Sequence, residues 1–404
     1  MISKISRISL LTVNGPSTWP SVGLVSHELI NRLKEIYPQI KTFRILEQSS
    51  APIKDDLWIV PVGMLHHQLL KWLKDNFKTP YQRPRIVFFL GGEGAKQCFN
   101  LFSHKDLFRL DDEWVVSSHV EKNLVDHFFP GNHRTHVLFY PVAKSFKPLK
   151  TFQEKMALRK KLNLPQSKSQ SLMLYAGRIS VQKNIFSLLD VLEKNPSLYL
   201  IICGDVDSLG LPHFNSDTKV HLPILITEEI AKRKLGKRIE FRNFLSQIEL
   251  KQIMQACDYQ ISLSAHYGED FGYSIAQGLA CGLKTVLSAW GGHLNWKDFL
   301  KDNEISFVDL DWSGKLGIPI LGKNLTLPKK QNISFNKDYQ SHFKQHLKVI
   351  VGNKDYTNRS VHLKVSEDLN QYWESHKSTP RPSMYESSED VNFRLVVRYY
   401  QNKY

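Results

Sequence analysis

The chain has 404 residues, 42% of them hydrophobic and 23% charged; that is ordinary globular composition, long enough for two domains with full cores, and it excludes a disordered or fibrous chain. Its 54 Lys and Arg against 39 Asp and Glu leave a net charge of +15. Residues 1–150 hold 20 basic and 13 acidic residues, so the excess is +7 there and +8 beyond, and no single basic tail accounts for it. A diffuse positive field favours nucleotide phosphates, an acidic membrane surface or nucleic acid without choosing among them.

In chain order, Ile8 to Val13 reads as a first strand, followed by the loop Asn14-Gly15-Pro16-Ser17 and a helix from about Gly23 to Leu33. Further strands are expected at Thr42 to Leu46, Leu57 to Pro61, Arg85 to Leu90, Trp114 to Ser117 and His136 to Tyr140, with a helix over Met64 to Lys74. This βαβα rhythm predicts a parallel, doubly wound sheet. Its crevice loops are then Asn14 to Ser17 and Gly91-Gly92-Glu93-Gly94. None of the apolar runs approaches the eighteen or more residues that cross a bilayer.

The rhythm breaks between Pro141 and about Gln170, a stretch with Pro148, Pro165 and the basic run Arg159-Lys160-Lys161 that reads as a linker with a short helix. It restarts with a strand at Leu172 to Ala176, the loop Gly177 to Asn184 and a helix over Ile185 to Glu193. Strands follow at Leu198 to Cys203, with Gly204-Asp205 at its end, at Arg238 to Phe241 and at Tyr259 to Ser264. The chain then runs Ala265-His266-Tyr267-Gly268-Glu269-Asp270-Phe271-Gly272-Tyr273-Ser274 into a helix that Gly282 stops. A strand leading through a Gly-containing loop into a helix start leaves N–H groups at the carboxyl end of a parallel sheet, where α/β proteins bind anions. Glu269 projects there, and Gln277 lies about two turns later.

The domain layout expected is 1–148, a linker over 149–170, a second domain over 171–345 and an extension over 346–404. Within the extension, Ser366 to His376 looks helical, Ser378 to Ser388 reads as a connection, and Val391 to Tyr400 stays open between strand and helix. Cys98, Cys203, Cys257 and Cys281 have no paired spacing, so neither a zinc site nor a disulfide framework is expected. Asp309-Leu310-Asp311 mimics a metal-binding DxD but reads as a surface turn, and His66-His67 reads as part of an amphipathic helix. The first residues lack the apolar region of a secretory signal, which points to the cytoplasm.

Leu174-Tyr175-Ala176-Gly177-Arg178 with Lys183-Asn184, then Ile201-Ile202-Cys203-Gly204, Glu269-Asp270-Phe271-Gly272 to Ala280-Cys281-Gly282, and Trp290-Gly291-Gly292 resemble, in order and spacing, the retaining glycosyltransferases of family four. The resemblance is specific over 172–296, weaker over 8–148, and fades beyond about residue 345. It implies the GT-B fold, an α/β architecture of two Rossmann-like doubly wound domains facing each other across a cleft, with the acceptor in the first and a nucleotide sugar in the second.

By the resemblance, Arg178 and Lys183 hold the donor diphosphate, Glu269 touches the sugar hydroxyls, and Phe271 and Gly272 belong to the loop that approaches sugar and phosphate. Gly177, Asn184, Gly204, Asp205, Phe244, Asp270, Tyr273, Ser274 and Gln277 complete the expected donor site; Gly15, Gly92 and Glu93 face the acceptor. Three positions depart from the family. Gln277 stands where a ribose-binding glutamate is usual, no histidine follows Gly91 to Gly94, and Asn295 replaces a frequent glutamate. The implied activity transfers a sugar from a UDP-, GDP- or ADP-linked donor to a glycan or lipid-linked acceptor, with no metal, cofactor or nucleic acid, the basic surface allowing contact with the inner face of the plasma membrane. The alternative is a GT-B-like nucleotide- or glycan-binding protein without turnover.

Overall fold

The computed structural model describes residues 7–12, 20–47, 51–63, 67–91, 101, 103–130, 134–206, 218–266, 269–311, 320–322, 325–331 and 335–352. The chain divides into two compact units, one built on Met1–Pro141 and resumed from Gln340, the other on Val142–Tyr339.

The first unit holds β1 (Ile8–Thr12), α1 (Pro20–Ile36), β2 (Lys41–Arg44), β3 (Leu57–Gly63), α2 (His67–Asn76), β4 (Arg85–Leu90), β5 (Glu113–Val116), α3 (His119–Phe128) and β6 (Thr135–Val137). Its strands pair in parallel in the order β2-β1-β3-β4-β5-β6. All six residues of β4 are buried, as expected of a strand covered on both faces of a parallel sheet. Every strand expected here is present, with ends shifted by a few residues. β6 ends at Val137; the Leu138 N–H still donates to the Val116 carbonyl at 2.9 Å, and beyond it the Tyr140 hydroxyl donates to the Leu90 carbonyl at 2.8 Å.

The second unit holds α4 (Phe152–Lys161), β7 (Ser171–Ala176), α5 (Ile185–Lys194), β8 (Leu198–Cys203), α6 (Thr218–Lys232), β9 (Ile239–Arg242), α7 (Gln247–Ala256), β10 (Tyr259–Ser262), α8 (Tyr273–Ala280), β11 (Lys284–Ser288) and β12 (Ile305–Val308). The sheet is again parallel, in the order β12-β11-β10-β7-β8-β9. That is the 3-2-1-4-5-6 order of a dinucleotide-binding sheet, so the chain reverses direction between β7 and β10, and a crevice opens above their carboxyl ends. Apolar residues of β7, β8 and α5, among them Met173, Leu200, Leu188 and Leu192, form the core beneath it.

Local signals account for the helix ends. Thr151 with Glu154 and Ser246 with Glu249 form capping boxes on α4 and α7. Gly282, at φ +82°, ends α8 as expected: its N–H reaches the Leu279 carbonyl and that of Leu283 reaches Gly278. Asp309-Leu310-Asp311 is not the surface turn expected: Leu310–Asp311 (β13) pair with Ile320–Leu321 (β14) in a two-stranded antiparallel ladder. A last helix, α9 (Phe335–Gly352), carries the chain back into the first unit, where the Arg85 guanidinium donates to the Val351 carbonyl at 3.0 Å. The segments 366–376, 378–388 and 391–400 lie outside the described residues. No described helix is long and apolar enough to cross a membrane.

Candidate active site

The loop after β7 is joined by backbone bonds to the loop after β10 and to the segment after β8. The Ala265 N–H donates to the Gln182 carbonyl at 2.9 Å, and the Ile179 N–H donates to the Asp205 carbonyl at 2.9 Å. Gly204 is needed for this packing: a Cβ there would stand 1.9 Å from the Gly177 carbonyl oxygen. The Tyr175 hydroxyl, fully buried, donates to the Arg178 carbonyl at 2.6 Å and fixes the same loop from below. Asn184 adopts the left-handed conformation at φ 53° to start α5, which suits a short amide side chain.

On this frame the Lys183 ammonium meets the Glu269 carboxylate at 2.5 Å and the Ser264 hydroxyl at 3.4 Å. Only 9% of the Glu269 side chain is exposed, so the carboxylate depends on its partners rather than on water. Burial pushes its pKa up. The Lys183 ammonium, with hydrogen bonds from Lys183 and Ser264, outweighs that and holds it well below the usual carboxylate range. His266, buried in the same loop, is driven down to about 3 by burial first and by Lys183 second, with Glu269 opposing and Arg178 adding. The four charged or ionisable groups Arg178, Lys183, Glu269 and His266 therefore share one electrostatic neighbourhood.

Gly272 is the N-cap of α8 at φ +71° and brings no side chain to cap the helix. Tyr273 and Ser274, both half-buried, form its first turn. Phe271 points away from solvent, 2% exposed, its ring 5.2 Å from that of Trp296; its side chain anchors the loop while its backbone remains at the site. Gly291 and Gly292 make this possible from the other side. A Cβ on Gly292 would lie 1.6 Å from the Asp270 carbonyl oxygen, and the Gly292 N–H donates to the Glu269 carbonyl at 2.7 Å. The Asn295 amide donates to the Gly292 carbonyl at 2.6 Å and stabilises the same turn.

At the neighbouring strand end, Asp205 accepts from the Phe244 N–H at 3.0 Å, leaving the Phe244 ring 59% exposed. Gln277 is buried, and its amide donates to the Gln247 carbonyl oxygen at 2.7 Å. Gly15, Gly92 and Glu93 lie outside the described residues. Three site residues escape the sequence reading: His293, Ser264 and Gln247. His293 directly follows the paired glycines, and a lone histidine there is a signal; Ser264 and Gln247 carry none. Among the described residues no group of three or more His, Cys, Asp or Glu side chains could hold a metal ion, and Cys203, Cys257 and Cys281 are free and buried.

Residues 155–305, the stretch that supplies all these donor-side groups, match the family described as glycosyl transferases group 1. A GDP-mannose:cellobiosyl-diphosphopolyprenol alpha-mannosyltransferase of Xanthomonas oryzae pv. oryzae is 31% identical over 120 residues. That alignment covers 29% of this chain and spans only 28% of the relative. Anabaena HepE, solved in complex with UDP and glucose, superposes with a TM-score of 0.52 at 14% identity, over 93% of this chain and all of that one. Sucrose-phosphate synthase from Thermosynechococcus elongatus gives 0.53 at 14% identity, over 98% and 99%. At such identities the structural likeness shows the fold alone, and that fold is GT-B. Residues 155–305 thus resemble glycosyl transferases of group 1, within a chain of GT-B fold.

Proposed function

We propose that the chain transfers a hexosyl group from a nucleoside diphosphate sugar to a glycan or lipid-linked acceptor, with retention of configuration and without a metal, as a member of family four. The observation that carries this reading is the buried Lys183–Glu269 pair at the switch point of the second sheet, with Arg178 in the same electrostatic field. When the sugar leaves, negative charge grows on the diphosphate, and cations already in place lower the barrier. Arg178 offers a planar fork and Lys183 a point charge, and the uncapped start of α8 at Tyr273 and Ser274 adds N–H groups. Glu269 then serves the sugar hydroxyls. The bond from the anomeric carbon to the diphosphate breaks as the bond to the acceptor oxygen forms on the same face, and the acceptor proton passes to the departing phosphate.

The relative's GDP-mannose donor and diphosphopolyprenol-linked acceptor, and the UDP bound by HepE, support a nucleoside diphosphate donor and leave the base to experiment. A lipid-linked acceptor fits the +15 charge, which favours an anionic membrane surface from the cytoplasmic side. Incubation with UDP-, GDP- and ADP-sugars in the presence of a chelator tests the proposal. Donor hydrolysis or transfer with at least one of them, undiminished by the chelator and giving the retained anomer by NMR, is the expected result. The second reading, binding without turnover, draws on Gln277, whose amide is engaged by Gln247. It predicts a thermal shift with nucleotide but no hydrolysis; neither shift nor hydrolysis with any donor sinks both readings.

A further inference from the structure

The hydrogen bonds around Glu269 run in a ring that is open at one point. Lys183 donates to Glu269 Oε2 and to the Ser264 hydroxyl. The Ser288 hydroxyl donates to the Ser264 carbonyl at 2.7 Å. A hydroxyl has one proton, so toward His293 Nδ1, 3.0 Å away, Ser288 Oγ must accept. The neutral His293 ring therefore carries its proton on Nδ1 and presents a bare Nε2. That atom is fully buried and without a hydrogen-bond partner among the described residues. It faces Glu269 Oε1 at 4.0 Å, acceptor against acceptor. The ring of His293 lies beneath the α8 N-cap, 3.6 Å from where a Cβ on Gly272 would stand, so it has little room to turn away.

We propose that His293 is a positioning residue that takes up a proton when donor binds, closing this gap and holding Glu269 in place of Lys183. The inference rests on the reading above in which Lys183 engages the diphosphate. As Lys183 is drawn from Glu269 to the phosphates, the carboxylate loses its counter-charge, and two further negative charges arrive. The charged groups that face His293 are Glu269, which favours the imidazolium, and Lys183, which opposes it; Ser288 holds the other ring nitrogen. Both changes on binding act in the same direction, toward a protonated Nε2 that donates to Glu269 Oε1. The carboxylate then keeps a buried partner while it accepts from the sugar hydroxyls.

Calorimetric titration with UDP-glucose and with GDP-mannose, at pH 6.5 in two buffers of different ionisation heat, tests the proposal. Both phosphates of such donors are diesters that do not titrate near neutrality, so any proton counted goes to the protein. The expected result is uptake of about half a proton or more per donor bound. The uptake disappears in His293→Gln and His293→Asn and persists in His266→Gln. Binding by the wild type without proton uptake overturns this inference and leaves the proposed function standing. Uptake that survives in a folded His293 variant, or vanishes with His266→Gln, also overturns it. No binding of any donor overturns both.

Discussion

Strand β10 has a carboxylate at each end, and the two are paired with cations to different purposes. Asp258, just before the strand, accepts from Lys155 at 2.7 Å, Arg159 at 2.6 Å and the Leu172 N–H at 2.8 Å. Arg159 also donates to the Ala256 carbonyl, so α4 is tied to the amino ends of β7 and β10. Glu269, beyond the carboxyl end, is the more deeply set and sits on a loop shaped by glycines, beside a histidine nitrogen that makes no bond. A buried ion pair by itself does not mark a site, since structural networks use the same chemistry. Position on the sheet and completeness of the hydrogen bonding distinguish the two: the saturated network lies at the closed edge, the open one at the edge where ligands bind.

The widest separation between the two ends is expected in turnover. Lys183→Ala or Arg178→Ala should lower kcat by at least about a hundredfold, in line with removing one preorganised charge-stabilising group, while changing KM for the donor less. Glu269→Gln should retain more activity than Glu269→Ala, because an amide can still bond a sugar hydroxyl. Steady-state kinetics on the donor that proves active decides it. Small, equal effects on kcat and KM would place Lys183 and Arg178 with the merely solvated cations.

Asp258→Ala probes the other end. It strands Lys155 and Arg159 without their carboxylate and should cost about 2 kcal/mol, less than the loss for a fully buried pair because a quarter of the Asp258 side chain is exposed. Thermal unfolding should show this as a lower Tm, with kcat per folded molecule unchanged. A normal Tm with reduced kcat would reverse the assignment of the two carboxylates.

Acid should also act on the two ends in different ranges. His266 and His293 are held neutral, their pKa values lowered by burial, so below about pH 6.5 the unfolded chain binds protons that the folded chain does not. Stability then falls as pH falls, by about 1.4 kcal/mol per pH unit for His266, with His293 acting in the same direction. Asp258, lowered because Lys155, Arg159 and a backbone bond outweigh burial, contributes above the ordinary carboxylate pKa and loses that contribution only below it. Between pH 6.5 and 5 the decline in Tm should be flattened by His266→Asn and untouched by Asp258→Asn. An equal slope in the His266 variant would mean that this ring is not neutral by burial.

The contrast was half legible in the sequence. Periodicity and turn residues located the six strands of the first sheet and four of the second to within a few residues, because parallel strands covered on both faces must be continuous apolar runs, while β11 and β12 went unread. Gly272 read as a sharp turn and Gly282 as a helix stop, and both have left-handed φ; Gly204, Gly291 and Gly292, known beforehand only from the resemblance, prove to lie against neighbouring backbone. The basic stretch Arg159-Lys160-Lys161 read as part of a linker with a short helix, and the helix is there, but the burial of Arg159, 3% exposed, on Asp258 99 residues away was not legible. Pairings at that separation leave no local periodicity. Ser264 and Gln247 went unread for the same reason, each acquiring meaning only from what the fold brings beside it, whereas His293 stood next to the paired glycines and was passed over.

Gln277 lies between the two cases and carries the smallest expected effect. It is buried like a structural residue, and Gln247 uses its amide N–H; the proposal that it binds the ribose relies on its oxygen and on Gln247 as a second polar group. A carboxylate accepts from both ribose hydroxyls, whereas an amide accepts from one and donates to the other, so the loss is of charge assistance. Charged hydrogen bonds contribute about 1.5–3 kcal/mol and neutral ones about 0.5–1.5, a difference near 1 kcal/mol or several-fold in affinity. Gln277→Glu would gain that assistance but place a negative charge nearer the diphosphate, and Gln247 would turn its own amide to donate to the new carboxylate. Free nucleotide should therefore bind Gln277→Glu within about tenfold of wild type, and Gln277→Ala more weakly, since that change removes the contact and leaves Gln247 unpartnered. Calorimetry on the three proteins gives the answer. Equal affinity of Gln277→Ala and wild type would make the Gln277–Gln247 bond purely architectural, a counterpart of Asp258 at the wrong end of the strand, and would show that incomplete bonding must be added to position before a buried polar group is assigned to the site.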